Sequence, residues 1–351
     1  MADLNVNSIG DASGGNTATI NGQTPTMSNM AGRNKIINGN FDIWQRGTSF
    51  NVNATGTSTT YIADRWCLLP ANTGFTAVAQ AVQVSGGGLR INCATSASYA
   101  TTADVLSLQQ RIEGYNCVDL SGEQVTVSFK VKTNKIGNYG VALYAAGTTT
   151  WGTPQSITVS TVDVKTTYTL TFTALSGIVA ANTEGLRLVF CLAANTARSG
   201  VYYPTGGSQV NLLDNTNNYF EIYDVQLEAG SVATPFEHRM YGQELALCQR
   251  YYWRKDDTTG RWAMATQRST TASEIMIQFP VSLRANPTLG SSGTWNIGFW
   301  GSGTTVSSFA LNVNGNLVAD VQATHGSGGA AGRAVEIYAS AGAYIDFNSE
   351  L

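Results

Sequence analysis

Residues 125–129 of the chain are Val-Thr-Val-Ser-Phe, and residues 168–172 are Tyr-Thr-Leu-Thr-Phe. In both stretches, apolar side chains alternate with hydroxyl side chains. Successive side chains of a β-strand point to opposite faces, so this alternation predicts strands with one face in a core and the other in water. Similar apolar runs recur from residue 34 onward and predict strands at 35–37, 88–91, 124–130, 140–144, 168–172, 186–192, 219–227, 261–266, 274–283, 293–299, 308–313, 333–339 and 343–347.

The composition points the same way. Charged residues make up 12% of the 351 residues, about half the usual share of about 25%, and there are 37 glycines. Thr favours strands, whereas Gly and Asn favour tight turns. Strands at this density, joined by turns, predict an all-β chain of the sandwich or jelly-roll type.

One helix is predicted, at residues 242–252. Tyr241, Leu245, Cys248 and Tyr252 recur at the spacing that places side chains on one helical face. The predicted fold is therefore a jelly-roll β-sandwich over 34–240, a short helical connector over 241–252 and a second small β-sandwich over 253–351.

Residues 1–33 show no periodicity of either kind and are rich in Asn, Ser, Thr and Gly. Such a segment cannot bury enough surface to offset its chain entropy. Two interpretations stay open. It is either a disordered tail or an extended arm that becomes ordered when it docks on a partner or winds around sister subunits.

Charge and hydropathy exclude two classes of partner. The formal net charge is -3 and no basic cluster occurs, so we expect no nucleic-acid binding. No apolar run approaches the roughly 18 residues of a membrane span, so we expect no membrane insertion. No secretory signal is visible, and the five cysteines are widely spaced and odd in number. We therefore expect folding in a reducing cytoplasm, with unpaired thiols.

Catalytic motifs are absent from the sequence. The two histidines, His238 and His325, are far apart, and no nucleophile elbow or phosphate-binding loop occurs. A polysaccharide depolymerase is the enzyme alternative, because its carboxylate pair need not leave a motif. We expect a protein that binds rather than catalyses.

Sugar binding is the better chemical hypothesis, because exposed aromatic rings stack on sugar faces. Tryptophans beside Gly-, Ser- or Thr-rich turns and a tyrosine pair are the candidates: Trp151, Tyr202, Tyr203, Trp262, Trp295 and Trp300. The alternative for each is an ordinary core aromatic.

A series of short motifs, in this order and spacing, resembles a jelly-roll module found in many phage and prophage tail-fibre proteins. The motifs span about 220 residues and lie at 34–47, 63–66, 109–113, 224–230, 233–237 and 244–252. Residues 14–30 also resemble the leader of appendage proteins in phages of cyanobacteria.

The resemblance implies a fold like that of galactose-binding-type carbohydrate-binding modules. In those modules the first strand, near an Asn-Gly-x-Phe motif, lies beside the last strand, near an Asp-Val-x-Leu-Glu motif. Several relatives hold a structural Ca²⁺ there, which implies Asp42 and Asp224 as ligands. The alternative is a plain hydrogen-bonded strand pair without metal and hence no cofactor. Arg46, Arg65 and Arg111 lie in these motifs and are expected to pair with carboxylates such as Asp64, Glu113 or Glu228.

The function implied is that of a bacteriophage virion protein, a tail-fibre or appendage subunit that recognises host cell-surface polysaccharide. We expect a homotrimer whose residues 1–33 attach to other tail or baseplate proteins and whose residues 253–351 form the receptor-binding domain. The protein would be assembled in the host cytoplasm and act in the extracellular virion. A fibre or decoration protein without a receptor, such as a head fibre or tail adaptor, is the structural alternative.

Overall fold

The computed structural model of the protein describes residues 32–54, 56–71, 76–256, 261–299 and 302–351. These residues are predominantly β-strand, and their helices are short. The prediction of an all-β fold class is confirmed. Most of the predicted N-terminal arm, residues 1–31, lies outside the described residues. No described helix is both long and apolar enough to cross a membrane.

The chain divides into two compact units. Unit 1 consists of the described residues up to Asp42 together with those of Gly47–Arg239. Unit 2 consists of Met240–Leu351 and, in addition, Ile43–Arg46 from the N-terminal part of the chain. Four residues inside the first sequence motif therefore belong to the second unit.

The strands of unit 1 are joined by loops of varied length and by brief helical turns. In chain order they are β1 (Ser49–Asn53), β2 (Thr60–Tyr61), β3 (Trp66–Pro70), β4 (Val78–Gln83), β5 (Leu89–Thr95), β6 (Val105–Glu113), β7 (Val125–Thr133), β8 (Gly137–Ala145), β9 (Thr150–Trp151), β10 (Gln155–Val159), β11 (Thr166–Phe172), β12 (Glu184–Ala194) and β13 (Tyr219–Ala229). The helical turns are α1 (Gly114–Cys117) and 3-10 turns at Val118–Leu120, Thr196–Arg198 and Leu212–Asp214.

These strands form two antiparallel sheets. Sheet A has the order β1-β4-β5-β13-β7-β11. Sheet B has the order β10-β8-β12-β6-β3-β2, and β9 pairs with the C-terminal end of β8. Non-sequential neighbours within each sheet, such as β5, β13 and β7, make this a sandwich with crossing connections, as in a jelly roll.

The core of unit 1 lies between the two sheets. Phe129 of β7 meets Phe190 of β12 edge-on, with ring centroids 4.9 Å apart. Trp66 of β3 is fully buried and packs on Phe41 at 4.9 Å. Each such ring taken out of water contributes roughly 1.5–3 kcal/mol. The alternation seen in the sequence therefore drives the pairing of the two sheets.

Residues 34–39 run beside β13, as the resemblance implies. The Lys35 amide donates to the Leu227 carbonyl at 2.9 Å, and the Val225 amide donates to the Gly39 carbonyl at 2.8 Å. A Cβ at Gly39 would lie 2.2 Å from the Val225 carbonyl oxygen. Only glycine allows the two backbones to approach this closely.

Unit 2 begins with α2 (Tyr241–Gln249). Its strands are β14 (Tyr252–Asp256), β15 (Arg261–Ser269), β16 (Ala272–Gln278), β17 (Thr288–Ser292), β18 (Trp295–Phe299), β19 (Ser302–Asn314), β20 (Val318–His325), β21 (Ala334–Ala339) and β22 (Tyr344–Asn348). A three-stranded sheet has the order β14-β22-β17, and six strands close into an antiparallel barrel with the order β15-β16-β20-β19-β18-β21.

The sequence predicts a second sandwich for this region, and the structure closes most of its strands into a barrel. Strand β19 carries two register shifts against β20, between Val306 and Ser308 and between Leu311 and Val313. Such bulges bend a strand and increase its twist, which lets a small sheet curl until its edges meet. Alternation of single strands does not reveal this closure, because sandwich and barrel strands alternate alike.

The helix ends earlier than predicted and buries only part of the predicted face. Tyr252, predicted as its last apolar contact, is the first residue of β14. Tyr241 is 64% exposed, whereas Glu244 and Cys248, one helical turn apart, are buried. Tertiary packing therefore shifts the buried face in part: Cys248 belongs to the predicted face, whereas Glu244 is buried and the predicted Tyr241 is not.

Two of the three motif arginines, Arg46 and Arg111, lie beside carboxylates that are distant in sequence and were not among the named candidates. Arg46 pairs with Glu350 at 3.1 Å, and Arg111 lies 3.7 Å from Glu184. Glu228 instead lies 4.0 Å from Arg33, which precedes the first motif. Arg65 is fully buried and donates to the carbonyl of Arg111. All five cysteines are buried and unpaired by disulfides.

Candidate functional site

The outer face of sheet B carries a row of four partly exposed side chains on four neighbouring strands. Trp151 of β9 pairs directly with Tyr144 of β8, Tyr144 with Arg187 of β12, and Arg187 with Arg111 of β6. Directly paired residues point to the same face of a sheet. We call these four residues the sheet B row. Three strand spacings give it a length of about 14 Å.

The alternation of each strand turns these side chains outward. Leu143 and Leu188 face the core and are fully buried, so their neighbours Tyr144 and Arg187 face the other way. Trp151 reaches the row through the tight β8–β9 hairpin. In that hairpin the Thr149 amide donates to the Ala146 carbonyl, and Thr149 adopts a φ of 53°.

The aromatic end of the row is a ring cluster. The Trp151 and Tyr144 ring centroids are 5.0 Å apart, and those of Trp151 and Tyr202 are 5.3 Å apart. The Arg187 guanidinium lies 5.0 Å from the Tyr144 ring centroid. The row therefore combines partly exposed aromatic surface with hydrogen-bond donors.

Glu184 fixes the cationic end. Its carboxylate accepts two hydrogen bonds from Arg187, at 2.7 and 2.8 Å, and lies 3.7 Å from Arg111. Burial by itself lowers the pKa of Arg187, but the hydrogen bonds and charge of Glu184 outweigh it and leave that pKa raised. Such bidentate contact holds the guanidinium in one orientation, so the donors are preorganised.

A loop between β12 and β13 covers the sheet next to the row. Tyr202 and Tyr203 are buried in it and pack on Val105, Ala142, Val189, Cys191 and Ala194. A Cβ at Gly140 of β8 would lie 2.1 Å from the Tyr202 carbonyl oxygen, so the loop can sit this close only above glycine. Burial raises the pKa of Tyr202. Tyr203 anchors the loop, and the tilted ring of Tyr202 extends the aromatic cluster.

The tryptophans predicted as sugar-stacking residues in the C-terminal part lie elsewhere. Trp262 is 6% exposed and Trp295 is 3% exposed, and both belong to the apolar core of the barrel. Their rings meet edge-on at 5.4 Å, and the Trp295 indole nitrogen donates to the Ser292 carbonyl. Rings packed in this way leave no free face for a sugar, which is the core alternative that the sequence left open. Trp300 lies outside the described residues.

The two carboxylates implied for calcium lie near enough in unit 1 for the charge of Asp224 to affect the pKa of Asp42. Burial raises the pKa of Asp42, the Asn40 hydrogen bond and the charge of His238 lower it, and the negative charge of Asp224 raises it further. The Lys130 ammonium lies 2.6 Å from Asp224. No group of three or more His, Cys, Asp or Glu side chains gathers among the described residues. Calcium stays a prediction, and it would have to displace Lys130 from Asp224.

Tyr144, Arg187 and Glu184 are residues that the sequence alone did not single out. For Arg187, the sequence does contain a pattern that indicates its outward position. Arg187 stands between Leu186 and Leu188, and a charge inside an apolar run marks the outward face of a strand. The pairing with Trp151 and Arg111, however, depends on sheet register.

No protein-family model matches the chain, and no curated protein matches it. Solved structures show partial likeness. A carbohydrate-binding module described as CBM4 shares 17% identity, with 55% of this chain and 98% of that chain covered, at a TM-score of 0.30. TmCBM61 in complex with β-1,4-galactotriose shares 12% identity over 56% of this chain and 99% of that chain, at a TM-score of 0.29.

A third likeness is to the enzymatically active domain of tailspike protein 4 from bacteriophage CBA120. It shares 12% identity over 56% of this chain and 21% of that chain, at a TM-score of 0.29. Likeness at this level assigns no function, so a functional argument has to come from the residues.

Proposed function

We propose that the protein binds a polysaccharide through the sheet B row. The observation that carries the proposal is the direct alignment of Trp151 and Tyr144 with Arg187 and Arg111 on one outer sheet face. Aromatic rings stack on the apolar faces of sugars, and guanidinium groups donate to sugar hydroxyls. A row of about 14 Å suits an extended oligosaccharide rather than a single sugar.

The biological role that we propose is recognition of a bacterial surface glycan by a phage appendage. Support comes from the ordered motif series between residues 34 and 252 and from the low charge with abundant Thr, Ser, Asn and Gly. In this proposal the protein acts by binding and not by catalysis, and it works in the virion as a homotrimer attached through residues 1–33 to tail or baseplate proteins. Trimerisation would multiply a weak sugar affinity through avidity.

The binding proposal is tested with a panel of immobilised bacterial surface polysaccharides. Trp151→Ala should weaken binding by about 1–3 kcal/mol, roughly 5- to 150-fold in Kd. Tyr115→Ala is the matched control, because Tyr115 is an aromatic of unit 1 that is 61% exposed and lies outside the row.

Equal loss of affinity in both variants would mean that the row has no special part in binding. Unchanged affinity in Trp151→Ala would remove the proposed site. The proposed assembly has its own test, since light scattering that finds only a 37.2 kDa monomer would contradict the trimer.

A further inference from the structure

The outer face of sheet A, on the opposite side of the sandwich from the sheet B row, contains a groove of about 590 Å³. It lies between strands β7, β11 and β13 and the segment that follows β13, residues 233–238. Its volume falls within the range of about 300–1,000 Å³ usual for small-ligand sites. We call it the sheet A groove.

A β-bulge shapes one end of the groove. Tyr223 pairs with Lys130 and Gln226 with Ser128, so β13 has one residue more than β7 over this interval. Asp224 lies within the bulge with a φ of 50°, a conformation uncommon for residues other than glycine. Bulges re-aim side chains, and this one places the Asp224 carboxylate against the Lys130 ammonium at 2.6 Å, in the groove lining.

The opposite wall is held in place by buried carboxylate and amide groups. Glu228 accepts hydrogen bonds from the Thr234 amide and the Thr234 hydroxyl, at 2.9 and 2.6 Å. Gln226 accepts from the Glu237 amide at 2.8 Å. Between these anchors, Phe236 packs edge-on with His238 at 4.9 Å. The apolar wall of the groove is therefore fixed rather than a loose loop.

The lining has the chemistry of a sugar site. Ser128, Thr167 and Thr169 contribute hydroxyls that make no hydrogen bond to other described residues, while Phe236 contributes an apolar ring. Lys130 and Asp224 add a donor and an acceptor whose formal charges cancel. The hydroxyls and the Phe236 ring suit a ligand with many hydroxyls and one apolar face. Because the ion pair carries no net charge, the lining also suits a neutral ligand.

We propose that the sheet A groove is a second carbohydrate site, which takes a neutral pyranose unit. The site is independent of the sheet B row, because the two lie on opposite outer faces of unit 1. One molecule could then hold two glycan chains, or two parts of one chain, at once.

The test is an NMR titration of the ¹⁵N-labelled full chain with the methyl glycosides of glucose, galactose and mannose at millimolar concentration. At least one glycoside should shift the amides of Thr167, Thr169 and Asp224. Thr169→Arg fills the groove from an exposed strand position and should abolish these shifts. Thr173→Arg adds the same side chain at an exposed position outside the groove lining and should retain them.

Trp151→Ala separates this site from the proposed function, since it should leave the groove shifts intact. Shifts confined to residues around Trp151 would overturn the second site while supporting the sheet B row. Absence of groove shifts with all three glycosides, or loss of the shifts in Thr173→Arg, would also overturn it. A stronger response to glucuronate than to methyl glucoside would overturn the neutral ligand class.

Discussion

Trp151 of unit 1 and the barrel tryptophans of unit 2 lie in opposite settings, although unit 1 also has a core tryptophan, Trp66. In unit 1, Trp151 lies at the outer face of an open sheet and keeps part of its ring exposed. In unit 2, Trp262 and Trp295 fill the interior of a closed barrel. A sandwich leaves each sheet with one outer face, where aromatic side chains can meet a ligand or a covering loop. A small barrel has one enclosed interior, which side chains fill.

The comparison also concerns how each unit is assembled from the chain. Unit 1 is nearly continuous in sequence, whereas unit 2 includes Ile43–Arg46, almost 200 residues from the rest of it. Within unit 2 the Arg46 guanidinium lies 3.5 Å from the Tyr252 ring centroid and pairs with Glu350. The Gln45 side-chain amide donates from Nε2 to the Tyr252 carbonyl at 2.8 Å. These contacts make the short segment part of the folded unit.

The largest effect on the free energy of unfolding is expected when a barrel tryptophan is removed. Trp295→Ala should destabilise unit 2 by about 3–5 kcal/mol, because it leaves a cavity beside Trp262 and Phe309. Denaturant unfolding followed by circular dichroism, with hydrogen exchange of the barrel amides, measures it. Met276→Ala, at a side chain that is 70% exposed, should stay within about 0.5 kcal/mol. A small effect of Trp295→Ala would contradict the core assignment.

The next prediction tests whether Ile43–Arg46 folds as part of unit 2. Ile43→Ala should cost about 2–5 kcal/mol and speed hydrogen exchange in unit 2, because Ile43 is buried there. Ile37→Ala provides a matched comparison, since Ile37 is buried in unit 1, six positions upstream. Its faster exchange should appear in unit 1. If both substitutions loosen the same unit, the division of the chain is incorrect.

A smaller effect concerns the loop that covers sheet B. Gly140→Ala should cost about 1–3 kcal/mol, the usual range for overpacking, because the new methyl group meets the Tyr202 carbonyl oxygen. It should also weaken glycan binding by moving Tyr202 away from Trp151. Gly242→Ala has open space around the new methyl group and serves as the control. Thermal unfolding of the two variants compares them, and equal stability would show that the loop does not depend on the close approach.

The smallest effect belongs to the surface of the barrel. Arg261 and Glu336 form a 3.2 Å ion pair in which both side chains are exposed. Solvent screens such pairs, so Arg261→Gln should change the free energy of unfolding by less than about 1 kcal/mol. Added salt should abolish even that difference between the wild type and the variant. A larger change would indicate that the barrel exterior contributes more to stability than its exposure suggests.

Strand prediction succeeded for two stretches in which large apolar side chains alternate with hydroxyls, whereas β3 and β6 were missed although they bury large apolar side chains. The stretches around Val127 and Leu170 became β7 and β11, which pair with each other in register. Strand β4, Val-Ala-Gln-Ala-Val-Gln, was missed because its buried face consists of Ala79 and Ala81. Alanine contributes little to a periodic signal, although it packs well beneath a neighbouring sheet. Strand β20 was missed as well, and its buried face likewise includes Ala319 and Ala323.

Site prediction was limited because local sequence does not show whether an aromatic ring is exposed or buried. Trp151 and Tyr202 were found as aromatics near turns, and the structure brings their rings together at 5.3 Å. Trp262 and Trp295 have a similar local sequence context but lie in a core. Neighbouring Gly, Ser and Thr residues indicate a nearby turn, and they say nothing about which way the ring points after the sheet closes.

The sequence by itself determined the fold class, six of the thirteen described strands of the jelly roll and the absence of any recognisable catalytic motif, because these depend on composition and on local periodicity. Only the tertiary structure decided that the C-terminal strands close into a barrel and that Ile43–Arg46 belongs to that unit. It also decided that Trp151, Tyr144, Arg187 and Arg111 align in one row. These features depend on register and on contacts between distant residues, which follow from the packing of the whole chain and leave no local pattern.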